Sequence, residues 1–159
     1  MSKSYSEITI RKMTKKDIIR ISLLIGNTLH YLDGRKAKID LTCQKNALYD
    51  KGENYIPLLD KKINGTIGYR RLKTHPKYVV WLDWFVVNSN YQKKGVGTVL
   101  FNFLMHKLKN KKFKILCCEK SDKNKSSNTF YKKVGFTTYG MMKKYWEDGS
   151  NLVLLFRKI

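Results

Sequence analysis

Between Tyr78 and Val87 the chain is apolar at both parities: Val79, Trp81, Phe85 and Val87 fall on one, Val80, Leu82, Trp84 and Val86 on the other. A strand needs hydrophobic residues only on a face that is covered, so this run predicts a central strand sandwiched between two layers. Asp83 is its one charge, and strict alternation sets it on the face of Trp81, Phe85 and Val87. The run is too short to cross a bilayer. The chain then turns polar through "NSNYQKKGVG", and Leu100, Phe103, Leu104 and Leu108 mark a helix that ends near "KNKK". A buried strand thus leads into a glycine-bracketed basic turn, and a helix leads out.

The elements around this unit are readable in the same way. "EITIRKM" alternates as a first strand, and Thr14 with Asp17 has capping-box spacing before a helix whose apolar face is Ile18, Ile21, Leu24, Ile25 and Leu29. A second, weaker helix is expected over about Lys36 to Asp50. "NYIPLLD" and "INGTIGYRRL" read as two strands joined at Lys61-Lys62; Asn64-Gly65 is a competing turn, rejected because it would leave the second strand short. Downstream, "FKILCCE" is a strand and "KSDKNKS" a polar loop. A short helix through "NTFYKKV" ends at Gly135 as its cap, and strands follow at about Phe136 to Met142 and Asn151 to Lys158. The order β-α-α-β-β-β-α-β-α-β-β is an α/β (α+β) arrangement, a mixed, twisted seven-stranded sheet flanked by about four helices.

A length of 159 residues without linker or repeat fits a single domain. The start "MSKSYSEITI" lacks the apolar stretch of a signal peptide, so a soluble cytoplasmic protein is expected, with no membrane partner. Cys43, Cys117 and Cys118 are an odd set without zinc spacing, and buried free thiols in a reducing compartment are expected. His30, His75 and His106 have no metal-ligand spacing either, and surface positions are expected; no metal is anticipated. The formal charge of +21 favours anionic ligands, yet 27 of the 33 basic residues are lysines scattered along the chain, without an arginine-rich cluster. Scatter describes a solvated surface that attracts a small polyanion, and nucleic acid is not the expected partner.

Successive N–H groups at a glycine turn and the positive end of a helix dipole suit a phosphate, and Gly95 and Gly97 lack the Cβ that would block its approach. Lys93 and Lys94 add charge. A dinucleotide fingerprint fails because Leu100 stands where glycine or alanine is required, and a P-loop fails for want of Gly-Lys-Ser/Thr. Gln92-Lys93-Lys94-Gly95-Val96-Gly97 instead resembles the pyrophosphate loop of the GNAT acetyltransferase superfamily. The resemblance extends over about the last eighty residues: "LDWFVVNSNYQKKGVGTVL" is similar to the family's fourth strand, loop and helix. "CCEKSDKNKSSNTFYKKVGF" is similar to its fifth strand and fourth helix, with Asn124 seven residues before Tyr131 and the signature "FYKKVGF".

The resemblance implies an N-acetyltransferase that moves the acetyl group of acetyl-CoA (coenzyme A) to a primary amine by direct attack, the acceptor being a small molecule or a peptide and the enzyme a monomer or homodimer. It implies that main-chain amides from Gln92 through Lys93, Lys94, Gly95, Val96 and Gly97 to Thr98 bind the diphosphate. The backbone of Phe85, Val86 and Val87 would pair with the pantetheine arm, and Asn124 would bond the pantetheine or order its loop. Tyr131 matches the tyrosine that protonates the leaving thiolate. Two carboxylates are candidate bases: Glu119, twelve residues before Tyr131, matches the glutamate of the ribosomal-protein N-terminal alanine acetyltransferases, and Asp83 lies near the family's other base position. Glu119 is preferred by a narrow margin. A base matters because a lysine amine of pKa ~10.4 costs about 4.6 kcal/mol to deprotonate at pH 7, an α-amine of ~7.8 only about 1. Tyr31 and Asp33 on the N-terminal helices are candidates to line the acceptor site, as is Tyr145 in "KKYWEDGSN", which resembles a peptide-contacting segment. Two other outcomes stay open, a catalytically silent coenzyme A sensor and a basic nucleic-acid-binding module on the same scaffold.

Overall fold

A computed structural model describes residues 8–43 and 48–159. The elements are β1 (Thr9–Lys12), α1 (Ile18–Thr28), α2 (Tyr31–Thr42), β2 (Tyr49–Leu59), β3 (Lys62–Ile63), β4 (Gly65–Leu72), β5 (Val79–Val87), α3 (Val96–Asn110), β6 (Ile115–Ser121), α4 (Lys125–Lys133), β7 (Thr137–Met142) and β8 (Leu152–Lys158). The strands form one sheet in the order β1-β2-β4-β5-β6-β8-β7, with β3 paired to β2. The expected seven strands are present and the two-residue β3 makes an eighth. Among the described residues only β5 and β6 run parallel. Among the described residues no helix is long and apolar enough to cross a membrane.

The two faces of the sheet carry separate cores. On one, α3 buries Leu100, Leu104 and Leu108 completely against Ile67, Val80 and Leu116. Each such side chain contributes roughly 1.5–3 kcal/mol. On the other, Ile21 and Ile25 of α1 and Ala37 and Leu41 of α2 close over Ile56 and Val86. Leu29, assigned to the apolar face of α1, is instead half exposed just past its end. Cys117 and Cys118 are buried free thiols as expected, whereas Cys43 is exposed.

The Thr14 capping box forms: both its N–H and its hydroxyl donate to the Asp17 carboxylate at 2.8 Å, ahead of a short 3-10 turn that runs into α1. The second helix departs from expectation. It begins at Tyr31 and ends at Thr42, and Tyr49 and Asp50, expected in it, open β2; residues 44–47 lie outside the described residues. Its start is set by extended His30, whose Nδ1 accepts the Leu32 N–H at 3.4 Å, a cap that histidine does not advertise in sequence. Gly34 allows α2 to close on α1, since a Cβ there would lie 2.6 Å from the Ser22 carbonyl oxygen and 2.9 Å from Gly26 Cα.

The hairpin after β2 turns at Asp60-Lys61, one residue earlier than expected: Leu59 faces Lys62, and both turn residues have positive φ, 50° and 60°, as a type I′ turn requires. Asn64 then divides the expected single strand into β3 and β4. Its buried amide donates to the Lys62 carbonyl at 2.9 Å, and its N–H to that of Pro57 at 3.2 Å.

The largest correction concerns β5. Gly68 pairs with Asp83 and Thr66 with Val86, so one residue of β4, Ile67, faces two of β5, Trp84 and Phe85, across a bulge, and Trp84 takes φ +33°. The extra residue reverses which way the following side chains point. Phe85 and Val87 join Val80 and Leu82 in the α3 core, whereas Trp84 and Val86 join the α1–α2 core. Asp83 therefore does not share a face with Phe85 and Val87. It turns toward α1 and α2, and Asp40 and Lys36 of α2 act on its charge.

Candidate active site

Strands β5 and β6 are paired only at Val79 with Ile115, Val80 with Leu116 and Trp81 with Cys117. Beyond that row β5 stays on β4 as far as Val87, and β6 stays on β8 as far as Ser121. The strands part, and the edge of β5 from Leu82 to Val87 turns toward the gap without a partner strand. Main-chain donors and acceptors on such an edge are a template for an extended polar ligand.

At the far end of that edge lies the glycine turn. Gly95, at φ +84°, caps α3, and a Cβ built on it would meet nothing within 4 Å. The first α-helical bond into the turn runs from Val99 N–H to the Gly95 carbonyl, at 3.1 Å, so the N–H groups of Val96, Gly97 and Thr98 precede the helical ladder. Gln92 Nε2 donates to the Val87 carbonyl at 2.9 Å and fixes the turn to the end of β5. Lys94 Nζ is tied to the Asn90 carbonyl at 2.7 Å. Gly97 behaves otherwise than expected: its missing Cβ faces Phe85 and Phe130, each 3.6 Å away, so it seats α3 against β5, and Gly95 alone opens the turn outward.

Tyr131 projects from α4 into the ring cluster around Phe130 and Phe136, with centroids 5.8 and 5.2 Å away. Its hydroxyl faces the thiol of Cys118 on β6, next to the point where β5 and β6 part. Burial pushes the phenol well above the usual tyrosine range, so it keeps its proton at neutral pH. The Cys118 thiol is itself pushed up to about 12 by burial and stays protonated. Asn124 caps α4, its Oδ1 accepting the Ser127 N–H at 3.2 Å.

The two carboxylates share one cation. Arg70 of β4 donates from Nη1 to Asp83 Oδ1 at 3.3 Å and from Nη2 to Glu119 Oε1 at 3.5 Å. Asp83 is buried, and its Oδ2 also accepts from Asn54 Nδ2 at 3.2 Å. Burial raises its carboxyl above the ordinary range, while Arg70 and the Asn54 hydrogen bond pull the other way. Glu119 is far more open, with 43% of its side chain exposed against 9% for Asp83. Asp40, Tyr49, Gly52, Asn54, Arg70 and Asp83 line a small pocket on the α1–α2 face.

The acetyltransferase (GNAT) family model matches residues 27–136, from the end of α1 to the start of β7. The chain belongs to the GNAT acetyltransferase family. It is thus an acetyltransferase, and the enzymes of this family use acetyl-CoA. Solved family members share its fold. A GNAT acetyltransferase from Desulfovibrio desulfuricans has a TM-score of 0.81 at 16% identity, over 96% of this chain and 99% of that one. The ribosomal-protein-S18-alanine N-acetyltransferase from Escherichia coli gives 0.75 at 17% identity, over 96% and 94%. An aminoglycoside 6'-N-acetyltransferase complexed with coenzyme A gives 0.75 at 14% identity, over 94% and 96%. None of the curated proteins matches the chain in sequence.

On this GNAT scaffold the sequence-derived residues fall into two groups. Phe85 to Val87, Gln92 to Thr98, Asn124 and Tyr131 lie along or beside the parted strands and the head of α3, and Asp83 and Glu119 meet at Arg70. Tyr31 and Asp33 lie instead in the first turn of α2 and do not line the pocket, where Asp40, two turns further along the same helix, does. Tyr145 is half exposed at the β7–β8 hairpin tip, edge-on to Trp146 at 4.9 Å. The Lys123–Asp148 ion pair at 3.2 Å ties that tip to the loop before α4. Sequence reasoning missed Arg70 and Asn54. "YRRL" gives no sign that its first arginine is the one turned inward, but the lone buried carboxylate of β5 called for a basic partner on a neighbouring strand.

Proposed function

We propose that this GNAT enzyme binds acetyl-CoA along the parted edge of β5 and acetylates a primary amine that enters from the α1–α2 face. The observation that carries this is the end of the β5–β6 ladder at Trp81 and Cys117, two residues before Asp83 and Glu119 on their strands and on the side of the glycine turn. The residues present fit acetyl-CoA: an open left-handed glycine before three helix-leading amides for the diphosphate, and an unpaired strand edge for the pantetheine. Acetyl-CoA supplies the acetyl group as a thioester. In this assignment the N–H groups of Phe85 to Val87 orient the carbonyl and stabilise the charge that develops on its oxygen. Tyr131, neutral and half-buried, donates a proton to the departing sulfur.

Glu119 takes the proton of the acceptor amine, directly or through water. Both oxygens of Asp83 are engaged, by Asn54 and by Arg70, whereas Glu119 meets solvent and makes one long contact to Arg70. Asp40 is held by Lys36 at 2.7 Å and Asp83 by Arg70 at 3.3 Å, which leaves Glu119 as the carboxylate that meets an ammonium group on a surface otherwise strongly basic. A peptide or protein N-terminal amine suits the site best, because its deprotonation at pH 7 costs only about 1 kcal/mol. The paired buried thiols suit a reducing cytoplasm.

The test combines titration calorimetry of coenzyme A with a thiol-release screen of free amines, polyamines, aminoglycosides and N-terminal peptides. Saturable heat together with turnover of at least one amine is expected. Heat without turnover of any amine identifies a coenzyme A sensor, and no heat at millimolar coenzyme A rejects the site.

A further inference from the structure

The two candidate bases stand on strands that no longer hold each other. Asp83 is two residues past Trp81 on β5 and Glu119 two residues past Cys117 on β6, and Trp81 and Cys117 form the last paired row. In the same row, across β5, Arg70 of β4 pairs with Trp81. Its guanidinium therefore starts on the far side of β5, passes Asp83 at 3.3 Å and reaches Glu119 on β6 at 3.5 Å. It spans the mouth of the opening that the backbone leaves unbridged.

The Tyr49 ring lies 5.1 Å from the Arg70 guanidinium carbon and packs against it. The Arg70 Nε is buried without a hydrogen-bond partner, which costs stability, so the two carboxylate contacts are what fix the fork. On the other side of Asp83, Asn54 reaches the second carboxylate oxygen only because residue 68 is glycine: a Cβ there would lie 2.3 Å from Asn54 Nδ2.

We propose that Arg70 is a positioning residue of the acetyl transfer, which clamps Asp83 and Glu119 across the mouth of the strand opening into one unit with a single working carboxylate. Asp83 is the buried anchor that fixes the guanidinium, and Glu119 is the solvent-facing member presented to the acceptor. The charged and titratable groups facing this unit are Lys36 and Asp40 from α2, Tyr49 from β2 and Arg70 itself from β4, with Cys118 of β6 and Tyr139 of β7 beside Glu119. Arg70 contacts both carboxylates, so its loss leaves Asp83 buried without its cation and releases Glu119 from the clamp. This inference rests on the proposed amine-acetylating reading of the site.

The test compares the wild type with Arg70→Met and Arg70→Lys by carboxyl carbon-13 NMR titration and by titration calorimetry of coenzyme A. Kinetics use the fastest amine of the screen. Arg70→Met is expected to bind coenzyme A within twofold of wild type while the titration midpoint of Asp83 rises further. Its kcat at pH 7 is expected to fall at least tenfold with KM for acetyl-CoA unchanged. Arg70→Lys keeps the charge without the fork and is expected to restore the Asp83 midpoint more fully than it restores kcat; it also serves should the methionine variant fail to fold. Wild-type kcat in both variants, or an Asp83 midpoint unmoved in Arg70→Met, overturns the proposal. A wild-type protein that binds no coenzyme A defeats the acetyl-CoA reading instead, while the Asp83 titration still decides whether Arg70 is anchored there.

Discussion

Gly68 stands opposite Asp83 in the β4–β5 register and leaves the space that Asn54 fills, for a Cβ at position 68 would fall 2.3 Å from Asn54 Nδ2 and 2.7 Å from the Glu53 carbonyl oxygen. The second of those is backbone and cannot step aside as a flexible side chain does. Gly68→Ala is therefore expected to destabilise the protein by about 1–3 kcal/mol, as overpacking does. It should also turn Asn54 away from Asp83. Thermal denaturation checks the first effect, and the Asn54 side-chain amide resonance checks the second. A melting temperature equal to that of wild type refutes the argument.

The glycine turn predicts a division of labour. Gly95→Ala forces a left-handed backbone on alanine and is expected to cost about 1–2 kcal/mol with no steric clash, because its Cβ points into open space. That same Cβ enters the space assigned to the diphosphate, so coenzyme A should bind at least tenfold more weakly. Gly97→Ala places a methyl group at ordinary contact distance from Phe85 and Phe130, and it should change coenzyme A affinity less than Gly95→Ala does. Calorimetry on both variants checks the order.

Tyr131→Phe keeps the ring contacts to Phe130 and Phe136 and removes only the proton donor. It is expected to lower kcat by about 10²-fold or more, with KM for acetyl-CoA and the melting temperature little changed. Glu119→Gln should cost a similar factor. Activity untouched by both substitutions would discard the assignment of acid and base.

Glu53 supplies the clearest pH dependence of stability. Burial acts to raise its carboxyl, but hydrogen bonds from Lys12, Tyr55 and Lys111 outweigh it and hold the group at about 2, against an ordinary 4.5. A depressed carboxylate contributes stability above its unfolded value and loses it as pH falls toward its folded value. On the order of 2–3 kcal/mol should therefore disappear between pH 4.5 and about 2. Glu53→Gln is expected to lower stability at pH 7 and to flatten the acid limb over that interval, as read by urea denaturation across pH.

The alternative of a nucleic-acid module predicts oligonucleotide binding that falls steeply with salt and ignores coenzyme A. The GNAT assignment predicts the converse, a saturable rise in melting temperature with coenzyme A that survives 200 mM salt.

How much of this was legible depended on whether the physics was local. The Thr14–Asp17 cap, the α3 leucines and the left-handed Gly95 and Gly135 are written in near-neighbour spacing, and they stand where the sequence implies. Helix α2 was misplaced because its boundary depends on a histidine cap and on contact with α1 through Gly26 and Gly34, neither of which has a periodic signature. The faces of β5 were misassigned past Asp83 because a bulge breaks alternation without announcing itself. Arg70 was invisible as one basic residue among thirty-three, and its meaning comes from two carboxylates on other strands. Tyr31 and Asp33 stand in the first turn of α2, ahead of the expected helix start at Lys36, whereas the pocket takes Asp40 from the same helix.

The additional residue at Trp84 has a packing corollary. It acts as a phase change within a single strand, since it is the surplus member of the pairing. Deleting it would restore plain alternation with Phe85 and Val87 still on the α3 side and Val86 on the other, so the loss would fall on the α1–α2 core that the indole helps to fill.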